Sequence, residues 1–227
     1  MRDQWKASAR KMNQTKLDFK RRALILAATG LLATTTSLQA KARACTILVM
    51  GDSLSAEYGL PRGTGWVNLL QARLKDKGLA GEVINASISG ETTSGGRTRL
   101  APLLQQHKPT HVVIELGAND ALRGLSLKSS RGNLLAMIQA SQQAGAQVVL
   151  VGMMVPPNYG KRYTDDFAAM FGQLAKEKHT ALVPFLLKGI ADRPDARDWF
   201  QADGIHPLPK GHPIMLDQVW AALQPLL

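Results

Sequence analysis

Five short runs rich in Val, Ile and Leu recur along the chain, at 46–50, 82–86, 111–116, 147–152 and 181–186. Each gap between them carries apolar residues at helical spacing. The runs are apolar at successive positions rather than alternate ones, the pattern of strands covered on both faces. Strand–helix units of this length close right-handed crossovers and place helices on both sides of a parallel sheet. The helical faces are Trp66, Leu69, Leu70 and Leu74 before Gly78; Leu100, Leu103, Leu104 and His107 before Lys108-Pro109; Leu134, Leu135, Ile138 and Met137 before Gly145; Phe167, Met170, Phe171 and Leu174; and a closing set of Ile214, Val219, Trp220 and Leu223. The expected fold class is α/β, with one domain over 45–227 and no internal repeat, low-complexity tract or long linker.

Total charge points to a nucleic-acid partner until it is located. The formal net charge is +11 over 227 residues, but residues 1–44 hold ten Lys and Arg against two Asp and so carry eight of those charges. The remaining +3 is no nucleic-acid footprint. Residues 1–44 read as a secretory leader. A basic stretch ends at Lys20-Arg21-Arg22, an apolar run follows over 23–33, and small-x-small patterns stand at Ala40-Lys41-Ala42 and Ala42-Arg43-Ala44. The apolar run is shorter than the ~20 residues of a membrane span. The expected location is therefore outside the cytoplasm, periplasmic or secreted after leader cleavage. Cys45 is the only cysteine, which excludes an intrachain disulfide.

In an open α/β sheet the ligand sits beyond the carboxyl ends of the strands, so the residues leaving each strand carry the chemistry. They are Gly51-Asp52-Ser53-Leu54-Ser55 after the first run, Ser87-Ile88-Ser89-Gly90-Glu91-Thr92 after the second and Gly117-Ala118-Asn119-Asp120 after the third. Asp203-Gly204-Ile205-His206-Pro207 precedes the last helix. Together they supply the parts of an acyl-transfer site. A serine hydroxyl needs an adjacent base, and His206 serves as one if an acceptor on its other nitrogen fixes the tautomer. Asp203, three residues earlier, suits that acceptor. The backbone N–H groups of Ser53 and Gly90 and the Asn119 side-chain amide are candidate oxyanion donors. Taken singly, each has a plainer reading. Ser53 fits a helix N-cap, Gly90 a turn, Asn119-Asp120 a cap, and Asp203 with His206 a structural pair or two metal ligands.

As a set, these segments resemble the SGNH (GDSL) hydrolase family, and within it the bacterial thioesterase I/lysophospholipase/arylesterase group. Asn85–Thr92, Glu115–Gly124 and Pro157-Asn158-Tyr159-Gly160 belong to the same resemblance, which spans about residues 46–225. It implies a flavodoxin-like three-layer α/β/α sandwich around a five-stranded parallel sheet. It implies Ser53 as nucleophile, His206 as base and Asp203 as its orienting acid, with Gly90 and Asn119 as oxyanion donors beside Ser53. Two positions depart from the group's pattern: Glu57 stands where glycine is common, and Ala118 replaces the second glycine of a Gly-Gly-Asn-Asp run. Glu57 is expected to place negative charge at the cleft mouth. Ser55 at the fifth motif position excludes the Gly-x-Ser-x-Gly elbow of α/β-hydrolases.

The expected activity is hydrolysis of carboxylic esters and thioesters through an acyl-serine intermediate, with no cofactor and no metal. Leu54, Leu122, Leu125, Met154, Pro156 and Tyr159 are the candidate acyl groove. The expected partner is a small acyl ester or thioester, lysophospholipid included, with at most transient contact with a membrane surface and a monomeric chain. Three alternatives stand beside it. One is an exported acetylesterase acting on glycans with the same triad, and another is a lipid- or glycan-binding module without turnover. The third is a metal-dependent phosphoesterase using Asp52, Asn119, Asp120, His206 and His212. Ligand supply weighs against the last, because neither of its histidines, His206 or His212, belongs to a His-x-His or His-x-x-x-His pair.

Overall fold

The computed structural model describes residues 44–227, so the leader expected over 1–44 lies outside the described residues except for Ala44. Five parallel strands form one sheet in the order β2-β1-β3-β4-β5, with β1 Cys45–Gly51, β2 Gly81–Asn85, β3 His111–Glu115, β4 Gln147–Val151 and β5 Ala181–Val183. Six α-helices accompany them among the described residues: α1 Trp66–Asp76, α2 Thr93–His107, α3 Ala118–Leu122, α4 Leu127–Gln143, α5 Lys161–Lys178 and α6 His212–Leu223. α1 packs with α6, while α4 packs with both α2 and α5. The expected α/β class and five-stranded parallel sheet are what the chain forms.

Apolar runs became strands where both faces are covered. Ile47 to Met50 of β1 and Val112 to Ile114 of β3 are fully buried at the centre of the sheet. β2 departs from the both-faces expectation. It is an edge strand and its residues are at best half-buried. β5 is shorter than the expected 181–186, because Pro184 has no N–H to continue a ladder and the chain bends there, with the Leu186 N–H bonding the Gly152 carbonyl.

Two helical features were not legible from spacing. α2 begins at Thr93, seven residues before its first expected apolar position, and Thr92 caps it by accepting from the Gly95 N–H at 3.3 Å. It runs through Pro102 on an exposed face, where the carbonyl left without its proline partner can reach water. α3 has five residues, too few to display a period.

Strand order reverses between β1 and β3, which leave the same edge of the sheet side by side, with Gly51 registered against Glu115. This is the switch point at which open α/β sheets form a crevice. The segments carrying Ser53 and Asn119 both exit there.

Candidate active site

Beyond β1 the chain turns instead of entering a helix, so Ser53 caps nothing. The capping work falls to its neighbour: Asp52 Oδ1 accepts from the Leu54 N–H at 3.0 Å. The Ser53 hydroxyl is left to meet His206 Nε2 at 2.8 Å. His206 Nδ1 lies 2.7 Å from Asp203 Oδ2. The other oxygen of Asp203 accepts the backbone N–H groups of Ile205 and His206, at 2.9 and 3.0 Å. Desolvation opposes ionisation of Asp203, yet together the backbone bonds and the contact with His206 outweigh it and hold its carboxyl down at about 2. An ionised carboxylate only accepts, so Nδ1 carries the ring proton and Nε2 turns its lone pair to Ser53.

Residues 199–208 form a small antiparallel loop that presents this pair. Phe200 bridges Pro207, the Gln201 N–H bonds the His206 carbonyl at 2.8 Å, and the Leu208 N–H bonds the Trp199 carbonyl at 2.8 Å. Gln201 Nε2 also donates to the Tyr58 carbonyl at 3.0 Å, tying the loop to the Ser53 segment. The Tyr58 ring lies against the His206 ring, centroids 4.5 Å apart.

The three candidate oxyanion donors line the same cleft as Ser53 and His206. Among the described residues, no protein acceptor takes the backbone N–H of Ser53 or Gly90. Gly90 adopts φ +78°, and a side chain there would be strained even though the nearest atom, Arg123 Nη2, lies 3.5 Å from the Cβ position. The same Arg123 nitrogen donates to the Gly90 carbonyl at 2.9 Å and fixes the peptide. Asn119 stands in the first turn of α3 and gives one amide hydrogen to Asp52 Oδ2 at 3.0 Å. Its second amide hydrogen is left for a ligand.

The cleft has a volume of about 740 Å³. Of the groove residues expected from sequence, Leu54, Leu122, Met154 and Pro156 line it, whereas Leu125 and Tyr159 do not. Leu125 lies past the end of α3, its N–H bonded to the Asp120 carbonyl. Tyr159 packs near Tyr163 at the start of α5, rings 6.1 Å apart. Phe185, Leu187 and Ile205 contribute walls that sequence reasoning missed. Phe185 follows β5 within the stretch first read as strand, and Leu187 comes just after it.

Glu57 does not charge the cleft mouth. In a left-handed conformation, φ 59°, it folds back to accept the Gly65 N–H at 2.6 Å and the Gly63 N–H at 3.0 Å. Partial burial opposes its ionisation, but those two bonds, with the Asn68 side chain and nearby His212, outweigh it and keep the carboxyl below its ordinary value.

The five residues of the metal-centre alternative do not converge. Asp120 is buried, accepting from the Thr93 N–H at 2.8 Å and from Ser130 Oγ at 2.9 Å. His212 Nδ1 accepts the Trp66 N–H at 3.1 Å and so caps α1 from α6. Burial pushes the His212 imidazole below its usual range, consistent with an unprotonated acceptor.

Comparisons with known proteins show the family. The model of the GDSL-like lipase/acylhydrolase family matches residues 49–214. The esterase TesA of Pseudomonas aeruginosa is 48% identical over 206 residues, covering 91% of this chain and 100% of the relative. The thioesterase 1/protease 1/lysophospholipase L1 of Escherichia coli K12 is 40% identical over 186 residues, 82% of this chain and 86% of the relative. Among solved structures, the psychrotrophic esterase EstA from Pseudoalteromonas sp., inhibited by monoethylphosphonate, superposes with a TM-score of 0.74. It is 42% identical, and the match covers 80% of this chain and 97% of that one.

Proposed function

The chain belongs to the GDSL-like lipase/acylhydrolase family and is an ester hydrolase, and on that premise we propose that it cleaves acyl esters and thioesters with Ser53 as the nucleophile. The observation that carries the reading is the unbroken hydrogen-bonded line from Asp203 through His206 to Ser53, ending in a cleft lined by unengaged N–H donors.

In this reading Ser53 Oγ attacks the acyl carbon while its proton passes to His206 Nε2, and Asp203 stabilises the resulting imidazolium. The carbonyl oxygen, now negative, is met by the Ser53 and Gly90 N–H groups and by Asn119. Donors placed in advance are worth roughly 2.7–4 kcal/mol of barrier each. Collapse breaks the ester or thioester bond, and His206 returns its proton to the leaving alcohol or thiol. Water then attacks the acyl-serine, again giving a proton to His206, and the acid leaves with Ser53 restored.

The apolar cleft wall makes the acyl chain the part of the substrate that supplies binding energy. Each buried methylene is worth about 0.8 kcal/mol, or about fourfold in kcat/KM. We therefore expect kcat/KM for a series of aryl esters to climb about fourfold per methylene beyond acetyl until the wall ends, with thioesters of matched acyl length also cleaved. A profile flat from acetyl onward would remove the acyl groove from the account and return the glycan acetylesterase reading. Export is part of the same proposal and rests on the leader pattern of 1–44.

A further inference from the structure

Behind the nucleophile segment lie two carboxyl groups that the triad does not use. Asp52 and Glu115 are 1% and 2% exposed, and the Asp52 backbone N–H donates to Glu115 Oε2 at 3.2 Å, which brings the two carboxyl groups together. Two carboxylates only accept, so a buried contact of this kind requires one proton between them.

The direction of the hydrogen bonds places that proton. The Trp66 indole is a donor only, and its Nε1–H points to Ser55 Oγ at 3.2 Å. Ser55 therefore spends its own proton on Glu115 Oε2, 2.7 Å away. The same Oε2 accepts the Asp52 backbone N–H at 3.2 Å. Glu115 Oε2 accepts twice and each Asp52 oxygen accepts from another donor, so the shared proton falls to the remaining oxygen, Glu115 Oε1, which donates to Asp52. The donors to the Asp52 side chain suit a charged carboxylate: Leu54 N–H, Asn119 Nδ2–H and Glu115 itself, with His206 facing it as the nearby basic group. Burial, reinforced by the charge on Asp52, pushes the Glu115 carboxyl well above the ordinary range.

We propose that Glu115, as a neutral buried acid, is a positioning residue: it donates to Asp52, and Asp52 holds the Asn119 carboxamide in line for the oxyanion. The inference rests on the assignment of Asn119 above. It also accounts for two motif residues. A methyl group at Gly51 would stand 2.5 Å from Ser55 Oγ and 2.8 Å from Glu115 Oε2, so only glycine admits the pair. Ser55, which replaces the last glycine of an elbow motif, is the relay that orients Glu115. An ionised Glu115 would put a second negative charge behind the developing oxyanion, which the neutral acid avoids.

A double-mutant cycle on the full chain tests this, reading kcat and KM for an aryl ester. Asn119→Ala should lower kcat by roughly 10²–10³-fold. Glu115→Met should lower kcat tenfold or more in the parent, with KM within about threefold, but by less than about twofold in the Asn119→Ala background, because residues acting as a unit are not additive. Equal factors in both backgrounds would overturn the proposal while leaving the oxyanion assignment standing. An unchanged kcat in Asn119→Ala would overturn both.

Glu115→Gln keeps one donor and one acceptor, so it should restore kcat to within about threefold of the parent. A folded Glu115→Gln as impaired as tenfold would contradict a neutral donor, even if the Met variant fails to fold. Stability gives a second readout. A raised carboxyl binds a proton in the native state that the unfolded chain releases near its ordinary pKa of about 4.3, so the parent loses stability as pH rises above that value. Glutamine has no such proton. The titratable groups facing Glu115 are Asp52, whose carboxyl burial raises to about 6, and, beyond it, His206; both proteins keep these two. The melting temperature of Glu115→Gln relative to the parent should therefore rise steadily from about pH 5 to 8, and a difference that stays constant with pH would overturn the proposal.

Discussion

Replacing Ser53 with alanine is expected to lower kcat on any ester substrate by on the order of 10⁴–10⁶-fold, and His206→Ala by a similar factor. The reason is geometric. The hydroxyl 2.8 Å from His206 Nε2 is the group the imidazole is placed to deprotonate, and neither partner retains its function without the other. The double variant should consequently be no slower than either single variant by more than a few-fold. Residual turnover in all three should match, since the donors of Ser53, Gly90 and Asn119 remain to polarise the ester carbonyl. Multiplicative losses, measured with matched protein concentrations on one aryl ester, would mean that Ser53 and His206 act in separate steps.

The second large effect is Asp203→Asn, expected to cost about 10⁴-fold in kcat. Asparagine fills the same volume, and its oxygen can still cap the Ile205 and His206 N–H groups, so the 199–208 loop should persist. What changes is the group facing His206 Nδ1. The amide now presented there donates, the ring proton moves to Nε2, and the lone pair facing Ser53 is lost. Because backbone bonds hold Asp203 down at about 2, the parent keeps its carboxylate across any practical assay range. The acid-side decline of the parent should thus not track Asp203, and lowering the pH to 4 should not convert the parent into a mimic of Asp203→Asn in its tautomer. A loss under tenfold for the variant would remove Asp203 from the catalytic line.

Most of the fold was legible because its central strands are covered on both faces. Ile47 to Met50 and Val112 to Ile114 announce themselves as unbroken apolar runs, and their burial is complete. Legibility fails where a local residue or an edge position decides the outcome. Pro184 ends β5 after three residues, β2 leaves one side open, and α3 is one turn long. The proposed triad and donors could be named from the strand exits, since the switch point gathers those exits whatever the side-chain detail. The layer behind them could not. Glu115 is the one acid closing an otherwise apolar strand apart from His111, which hinted at a polar partner. Its neighbour Asp52 is set only by the β1–β3 register, which pairs Gly51 with Glu115. Arg123, which fixes the Gly90 carbonyl, and Tyr58, which lies on His206, are likewise consequences of loop geometry. Glu57 shows the reverse error, in which a charged residue near the motif suggested an electrostatic role that its backbone conformation forbids.

The most direct test of the account is covalent. Incubation with an activated alkylphosphonate ester, followed by mass spectrometry of the intact chain and of its peptides, should show one phosphonyl group per chain, attached to Ser53. Labelling should run in proportion to lost esterase activity and should be strongly slowed in His206→Ala. Inactivation with the label on another residue, or an unlabelled Ser53 in protein that has lost its activity, would contradict the assignment of Ser53 as the nucleophile.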